Sequence, residues 1–264
     1  MTAAITSEFR KFFTTRLWWG MAIGVFLAGA AFAALFALLD PTPEMTGGVD
    51  VPNLSNVSRV SSVYTGGLSV SYLLTLSIGI MTIGSEYRHK TITSTFLATP
   101  RRVKVMVAKV VSLIGIGAFY GIVSLVGAVG VGASIIAARG FSPFPSSSIW
   151  RTLALSLLVL AVWALIGLGA GILIPNQVAA LLISIGLAWI IEPLVGFLIG
   201  AQSWGKGIAP YFPSNLTTAV LDTGSAAGST FTPLAWWAAA LVLTGYAAVM
   251  TLIGSVLTVR RDVS

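Results

Sequence analysis

The chain has 264 residues, of which 56% are hydrophobic and only 9% are charged, and its mean hydropathy is +0.93. Soluble domains carry about 25% charged residues, so this composition excludes an ordinary water-soluble protein. The absence of cysteine excludes disulfides and thiolate metal sites, and the single histidine, His89, cannot form a histidine-based zinc site alone. The formal net charge of +7 does not indicate nucleic-acid binding, because the basic residues lie between apolar runs rather than on one soluble face.

Apolar runs of about 20 residues are long enough to cross a bilayer. The chain has six candidates, at residues 17–39, 66–85, 110–138, 152–174, 178–192 and 233–259. The fifth is short because Glu192 and Pro193 interrupt it. The sequence therefore predicts an all-α integral membrane protein with six transmembrane helices, in a single domain that covers residues 1–264. It contains no cluster of His and acidic residues that predicts a metal site.

The distribution of Lys and Arg predicts the orientation of these spans. If both termini are cytoplasmic, eleven of the fifteen Lys and Arg residues fall in inner segments. A cleaved signal peptide is the alternative for the first span, but its apolar run continues to Leu39, which is long for a removable segment. We therefore predict a multi-pass protein of the cytoplasmic membrane with both termini inside.

Residues 1–16 predict an amphipathic helix that lies in the inner membrane interface. Apolar positions 5, 9, 12 and 13 share one helical face and alternate with charged residues. The alternative is a solvated leader. The candidate interface residues are Phe9, Arg10, Phe12, Phe13 and Arg16.

Residues 86–104 form an inner loop in which two charged clusters flank a polar-apolar stretch. Ile92, Phe96 and Thr99 lie on one face at helical spacing, and Pro100 ends that piece. A short helix of this kind, lying across the inner surface, exposes apolar side chains to a docked partner. Its basic flanks attract lipid phosphates or an acidic protein.

The segment after the fifth run, residues 193–222, is apolar in two pieces that are each too short to cross. Pro193 interrupts the helical hydrogen-bond ladder, and we predict a re-entrant or interfacial helical hairpin on the outer side, with an ordinary loop as the alternative. Glu192, within the span, is either a proton or cation site or a structural group that caps free amides at the break.

The inner loop resembles the coupling segment of type-2 ABC transporter permeases. The matching residues are Glu86, Tyr87, Arg88, His89, Thr91, Thr95, Phe96, Leu97, Pro100, Arg102 and Lys109. Many members of this family have Gly before the Thr of the motif, where this chain has Lys90. The order of parts is also similar, with an amphipathic N-terminal helix, six spans, a coupling helix between spans two and three, and an outer helical hairpin before span six.

This resemblance implies a bacterial exporter subunit. Two permease chains, the same or similar, pair around a path, and two copies of a separate ABC ATPase bind the coupling segment. ATP and magnesium then belong to the partner ATPase, and this chain needs neither cofactors nor catalytic residues. In agreement, the nearest approach to a phosphate-binding loop, residues 200–207, ends in Gly207 where a Ser or Thr is required.

The span residues suggest an amphipathic or apolar cargo, such as a drug, lipid or peptide, because their polar groups are mainly hydroxyls. Two other functions remain open from the sequence. One is an ion-gradient-driven secondary transporter that uses Glu192, although paired acids and inverted repeats are not evident. The other is a membrane scaffold or a lipid-modifying enzyme.

Overall fold

The computed structural model describes residues 1–40, 53–91, 102–200, 202–221 and 231–260, and within these ranges the regular secondary structure is entirely helical. Among these described residues, six helical segments are long and apolar enough to cross a membrane. The prediction of an all-α membrane protein is therefore confirmed.

The described helices are, in chain order, α1 (Thr2–Phe13), α2 (Leu17–Leu38), α3 (Val57–Thr65), α4 (Leu68–Arg88), α5 (Arg102–Ala138), α6 (Ser148–Leu173), α7 (Gln177–Gly186), α8 (Glu192–Gly200), α9 (Pro213–Leu221) and α10 (Trp236–Arg260). The candidate spans are α2, the pair α3 and α4 (Val57–Arg88), α5, α6, the pair α7 and α8 (Gln177–Ile199), and α10.

Helices α4 and α6 form the centre of the bundle. In the most apolar 18-residue stretch of each span, 67% of the residues are buried in the α3–α4 span and 72% in α6, but only 11% in the α7–α8 span. Two glycines bring their backbones together: a Cβ atom at Gly79 would collide with the Ala164 carbonyl, and one at Gly167 would collide with the Leu76 carbonyl. Small residues at such contacts allow the close approach that membrane helices need.

The helices on both sides of the predicted coupling loop are longer than expected. Helix α4 continues to Arg88 and α5 already begins at Arg102, rather than at the predicted boundaries of 85 and 110. Glu86 and Lys109 are therefore helical residues, because the helices continue past the apolar core into the charged region. The predicted coupling helix itself falls on residues 92–101, which lie outside the described residues.

The fifth span does not end at Glu192. A π-helical turn, Leu187–Ile191, precedes Glu192, and α8 continues through Pro193 to Gly200. The Glu192 amide donates to the Leu187 carbonyl, so the wider turn stands where Pro193 would otherwise break the hydrogen-bond ladder. The helix therefore continues past the predicted boundary at 192, and the irregular backbone lies just before Pro193. Two short 3-10 turns, Gly205–Gly207 and Ala209–Tyr211, then lead into α9.

The bundle has two ends. The α1 end is where α1, the last turn of α4 and the first turns of α5 meet. The opposite half contains the end of α2, helix α3 and helix α9.

Candidate functional site

Helix α1 lies against α5 through one aromatic face. Phe12 is buried and its ring meets that of Tyr120 edge-on, at 6.1 Å between centroids. The Tyr120 hydroxyl donates to the Trp18 carbonyl at 2.8 Å, which fixes the start of α2 beside α1. Phe9 and Phe13 stack at the edge of this contact, while Arg10 and Arg16 are exposed. The predicted amphipathic helix is thus present, with its apolar face on the protein.

A set of four charged side chains, named here the ionic cluster, joins three helices at the α1 end: Glu8 and Lys11 of α1, Glu86 of α4 and Lys109 of α5. The Lys109 ammonium donates to Glu8 Oε2 and to Glu86 Oε1, both at 2.7 Å. The Lys11 ammonium donates to Glu8 Oε1 at 2.7 Å and to Glu86 Oε1 at 2.9 Å. Two carboxylates and two ammonium groups alternate, so the cluster is formally neutral.

Most of the cluster is removed from solvent. The side chains of Lys109, Glu8 and Glu86 are 1%, 5% and 8% exposed, while Lys11 is 42% exposed and closes the cluster on its outer side. Burying a charge is costly unless it is paired and hydrogen-bonded. Lys109 meets this requirement with both acids, whereas Oε2 of Glu86 is buried and has no hydrogen-bond partner among the described residues.

The ion pairs keep Glu8 and Lys11, the two residues of the ionic cluster on α1, in their charged forms. Burial alone would raise the pKa of the Glu8 carboxyl, but the charges and hydrogen bonds of Lys109 and Lys11 outweigh it and lower the pKa below its ordinary value of 4.5. Burial likewise opposes the charge of Lys11, but its bonds to Glu8 and Glu86 raise its pKa above 10.5. Both groups are therefore ionised at neutral pH.

A polar cavity of about 590 Å³ adjoins the ionic cluster. Its lining includes Arg88, His89 and Thr91 from the end of α4, together with Gln177 from the first turn of α7. Arg88, His89 and Thr91, three residues of the predicted motif, therefore lie beside the ionic cluster. Tyr87 is half-buried and packs with the hydrophobic residues beneath α1.

The end of α4 has an unusual backbone. Lys90 has φ of 54°, in the left-handed region that costs least for glycine. Its amide donates to the Tyr87 carbonyl at 3.2 Å, and the His89 amide donates to the Ser85 carbonyl at 2.9 Å. This is the helix-ending position that glycine commonly occupies, and it is the position where the sequence has Lys in place of the expected Gly.

Thr95, Phe96, Leu97 and Pro100 lie outside the described residues, and Arg102 is known only as the first residue of α5. The sequence reasoning missed Glu8 and the pairing of Lys109. A signal existed for both: Glu8 shares the apolar face of α1 with Phe12, and Lys109 lies between Ala108 and Val110 in an otherwise apolar run.

Glu192, the other candidate, lies in the opposite half. Its Oε1 accepts a hydrogen bond from the Ser214 amide at 2.6 Å, so it caps the first turn of α9. Nearby, the Trp163 indole donates to the Thr217 hydroxyl at 3.0 Å and stacks on Tyr72. Of the two roles that the sequence left open, this geometry supports the structural one, with the cap on α9 rather than on the helix that carries Glu192.

No group of three or more His, Cys, Asp or Glu side chains suited to a metal ion occurs among the residues that the structure describes. No protein-family model matches the chain, and no similar curated protein was found.

Proposed function

We propose that this chain is the permease subunit of an ABC exporter whose ATP hydrolysis is carried out by separate chains. The observation that supports this function best is the ionic cluster. It ties the two helices that flank the motif segment, α4 through Glu86 and α5 through Lys109, to the amphipathic helix α1.

The cluster suits the transmission of force from a docked partner. Residues 92–101 are attached at one end to α4, in the centre of the bundle, and at the other to α5, which is 37 residues long. Because short buried ion pairs hold both attachments and α1 together, a displacement of the segment moves three helices at once. An ATPase that binds two arrangements of the segment with different affinity would shift the spans between two states.

The backbone at Lys90 supports the family resemblance independently of the cluster. The motif of type-2 permeases has Gly before its Thr in many members, and this chain adopts at that position the conformation that favours Gly. The turn that ends α4 is therefore of the expected kind despite the change of residue.

The remaining parts of the proposal follow from the surface of the bundle. The α1 end faces the cytoplasm, since Arg10, Lys11, Arg16, Arg88 and Lys104 all lie there. The sparsely buried α7–α8 span is available to lipid or to a second permease chain, the same or similar. The cargo is an amphipathic or apolar molecule, such as a drug, lipid or peptide.

Co-purification tests this function. The tagged chain is extracted from its native membrane in mild detergent, and the proteins that accompany it are identified by mass spectrometry. We expect a chain with phosphate-binding motifs, reduced or lost with Phe96→Ala and retained with Phe144→Ala in the opposite half. Glu86→Ala is a poor probe because it also opens the ionic cluster.

If no ATPase accompanies the wild-type chain, and transport proceeds with an ion gradient alone, the proposal is refuted. Glu192 then becomes the residue to test, as the ion-driven alternative requires.

A further inference from the structure

An apolar groove runs along the membrane-facing surface between the first turns of α5 and the second half of α10. It encloses about 720 Å³ and is lined by residues that include Met106, Val107, Val110, Leu165, Ala248 and Leu252. This volume lies within the range of about 300–1,000 Å³ typical of small-molecule sites. The groove is separate from the ionic cluster and its polar cavity.

The lining is suited to a hydrocarbon chain. Among the residues that the structure describes, no charged side chain contributes to it, and its polar members are the hydroxyl residues Thr244, Thr251 and Ser255. The Thr251 hydroxyl is already directed at the Leu165 carbonyl, at 3.4 Å. Met106 at the floor is 3% exposed, whereas Leu252 on the rim is 64% exposed, so the groove has a closed floor and an open side toward lipid.

The end of the groove nearest the membrane surface is basic. Lys104, in the first turn of α5, is exposed immediately beside the lining residue Val103. A Lys at this level attracts anionic lipid headgroups, at about 1 kcal/mol for each Lys or Arg near the surface.

We propose that this groove binds one acyl chain of an anionic phospholipid, with the headgroup at the level of Lys104. A second copy of the chain fits less well. A dimer axis along the membrane normal places equivalent residues at equal depth, so two copies meeting here would bring their basic ends together. The inference does not depend on the proposed function.

Photochemical labelling tests the site. The purified chain is reconstituted with phosphatidylglycerol that carries a diazirine on one acyl chain, and labelled peptides are mapped by mass spectrometry. Label is expected in residues 103–110 and 244–256. Ala248→Trp fills the groove and should lower this label severalfold, whereas Val249→Trp, a neighbour that is 54% exposed and outside the lining, should leave it unchanged.

The headgroup is tested with the same probe on phosphatidylcholine. The wild-type chain should prefer phosphatidylglycerol, and Lys104→Gln should reduce that preference by about fivefold. Equal capture of the two lipids by the wild-type chain overturns the proposal, as does labelling that Ala248→Trp does not change.

Occupation by a second copy is tested separately. The chain has no cysteine, so Leu252→Cys in the groove and Leu241→Cys outside it are clean single sites for a short crosslinker. The lipid proposal predicts no efficient dimer crosslink from Leu252→Cys. A strong crosslink there, absent from Leu241→Cys, would show that another copy covers the groove and would overturn the proposal.

Discussion

The two ends of the bundle use charge in different ways. At the α1 end, four charged side chains from three helices bind one another, and the central Lys109 is almost fully buried. In the opposite half, charged side chains mainly bind backbone groups at helix ends, and Arg59 also forms an ion pair with Asp40 at 3.4 Å. Arg59 and Arg139 donate to the carbonyls of Phe36 and Leu38, at 2.9 Å and 2.7 Å.

This difference determines how each end responds to change. A buried ion cluster is stable only as a complete set, because removing one member leaves another charge without compensation. A charged side chain that caps a helix end acts locally, and its loss leaves one backbone group to be hydrated by water instead. The α1 end should therefore behave as a single unit, while contacts in the opposite half should be lost one at a time.

Lys109→Ala should have the largest effect, because it leaves the buried carboxylates of Glu8 and Glu86 with only the partly exposed Lys11 to compensate them. We expect the free energy of unfolding to fall by about 3–5 kcal/mol, measured by denaturant unfolding in mixed micelles. Lys104→Ala, on the exposed side of the same helix, is the matched control and should change it by less than about 0.5 kcal/mol. Equal effects of the two substitutions would show that the cluster does not form.

Gly167→Ala tests the seam between α4 and α6 that connects the two ends. The added Cβ collides with the Leu76 carbonyl, so the helices must separate. We expect a loss of about 1–3 kcal/mol in unfolding free energy. Gly245→Ala, with no atom within 4 Å of the new Cβ, is the control and should be neutral or stabilising by up to about 1 kcal/mol.

Acidification should weaken the α1 end selectively. The pKa of Glu8 is lowered below 4.5 in the folded chain, so its contribution to stability is present above pH 4.5 and is lost as the pH falls through the folded value. As the pH falls through this range, the unfolding midpoint of the wild-type chain should therefore decrease more steeply than that of Glu8→Gln. Parallel pH profiles for the two proteins would contradict the ionic role of Glu8.

Glu192→Ala should have a smaller, local effect in the opposite half. It removes the acceptor for the Ser214 amide, and the loss of a helix cap costs about 1 kcal/mol. Hydrogen exchange should increase at the start of α9 and remain unchanged in α1. Glu192→Gln, which keeps an acceptor oxygen, should restore most of the protection.

Lys90→Gly should have the smallest effect, and it should stabilise. Release of the left-handed backbone strain stabilises the folded chain by about 1–2 kcal/mol. The greater conformational freedom of glycine in the unfolded chain offsets about 0.5–1 kcal/mol of this gain. The expected net gain is below about 1 kcal/mol in the same unfolding measurement. His89→Gly, next to it at φ of −93°, lacks this strain and should destabilise.

The sequence predicted the helical membrane fold correctly, and it predicted a helix where α1 occurs, because hydropathy and helical spacing are local signals. It did not predict that the helix continues through Pro193, which follows a π-helical turn. Nor did it pair Glu8 with Lys109, which are separated by 101 residues and meet only through tertiary packing. The hydrogen bond that Glu192 accepts from Ser214 likewise depends on the tertiary position of α9, which is not a local signal.

The most direct measurement is photocrosslinking from the motif segment in intact native membranes. A single photoreactive group is attached at Thr95→Cys, and Ser146→Cys in the opposite half carries the same group as the control. If the chain is the proposed permease, the group at position 95 should crosslink to a nucleotide-binding chain, and the group at position 146 should not. Crosslinks from position 95 to lipid alone, in membranes where the chain is active in transport, would contradict the proposal.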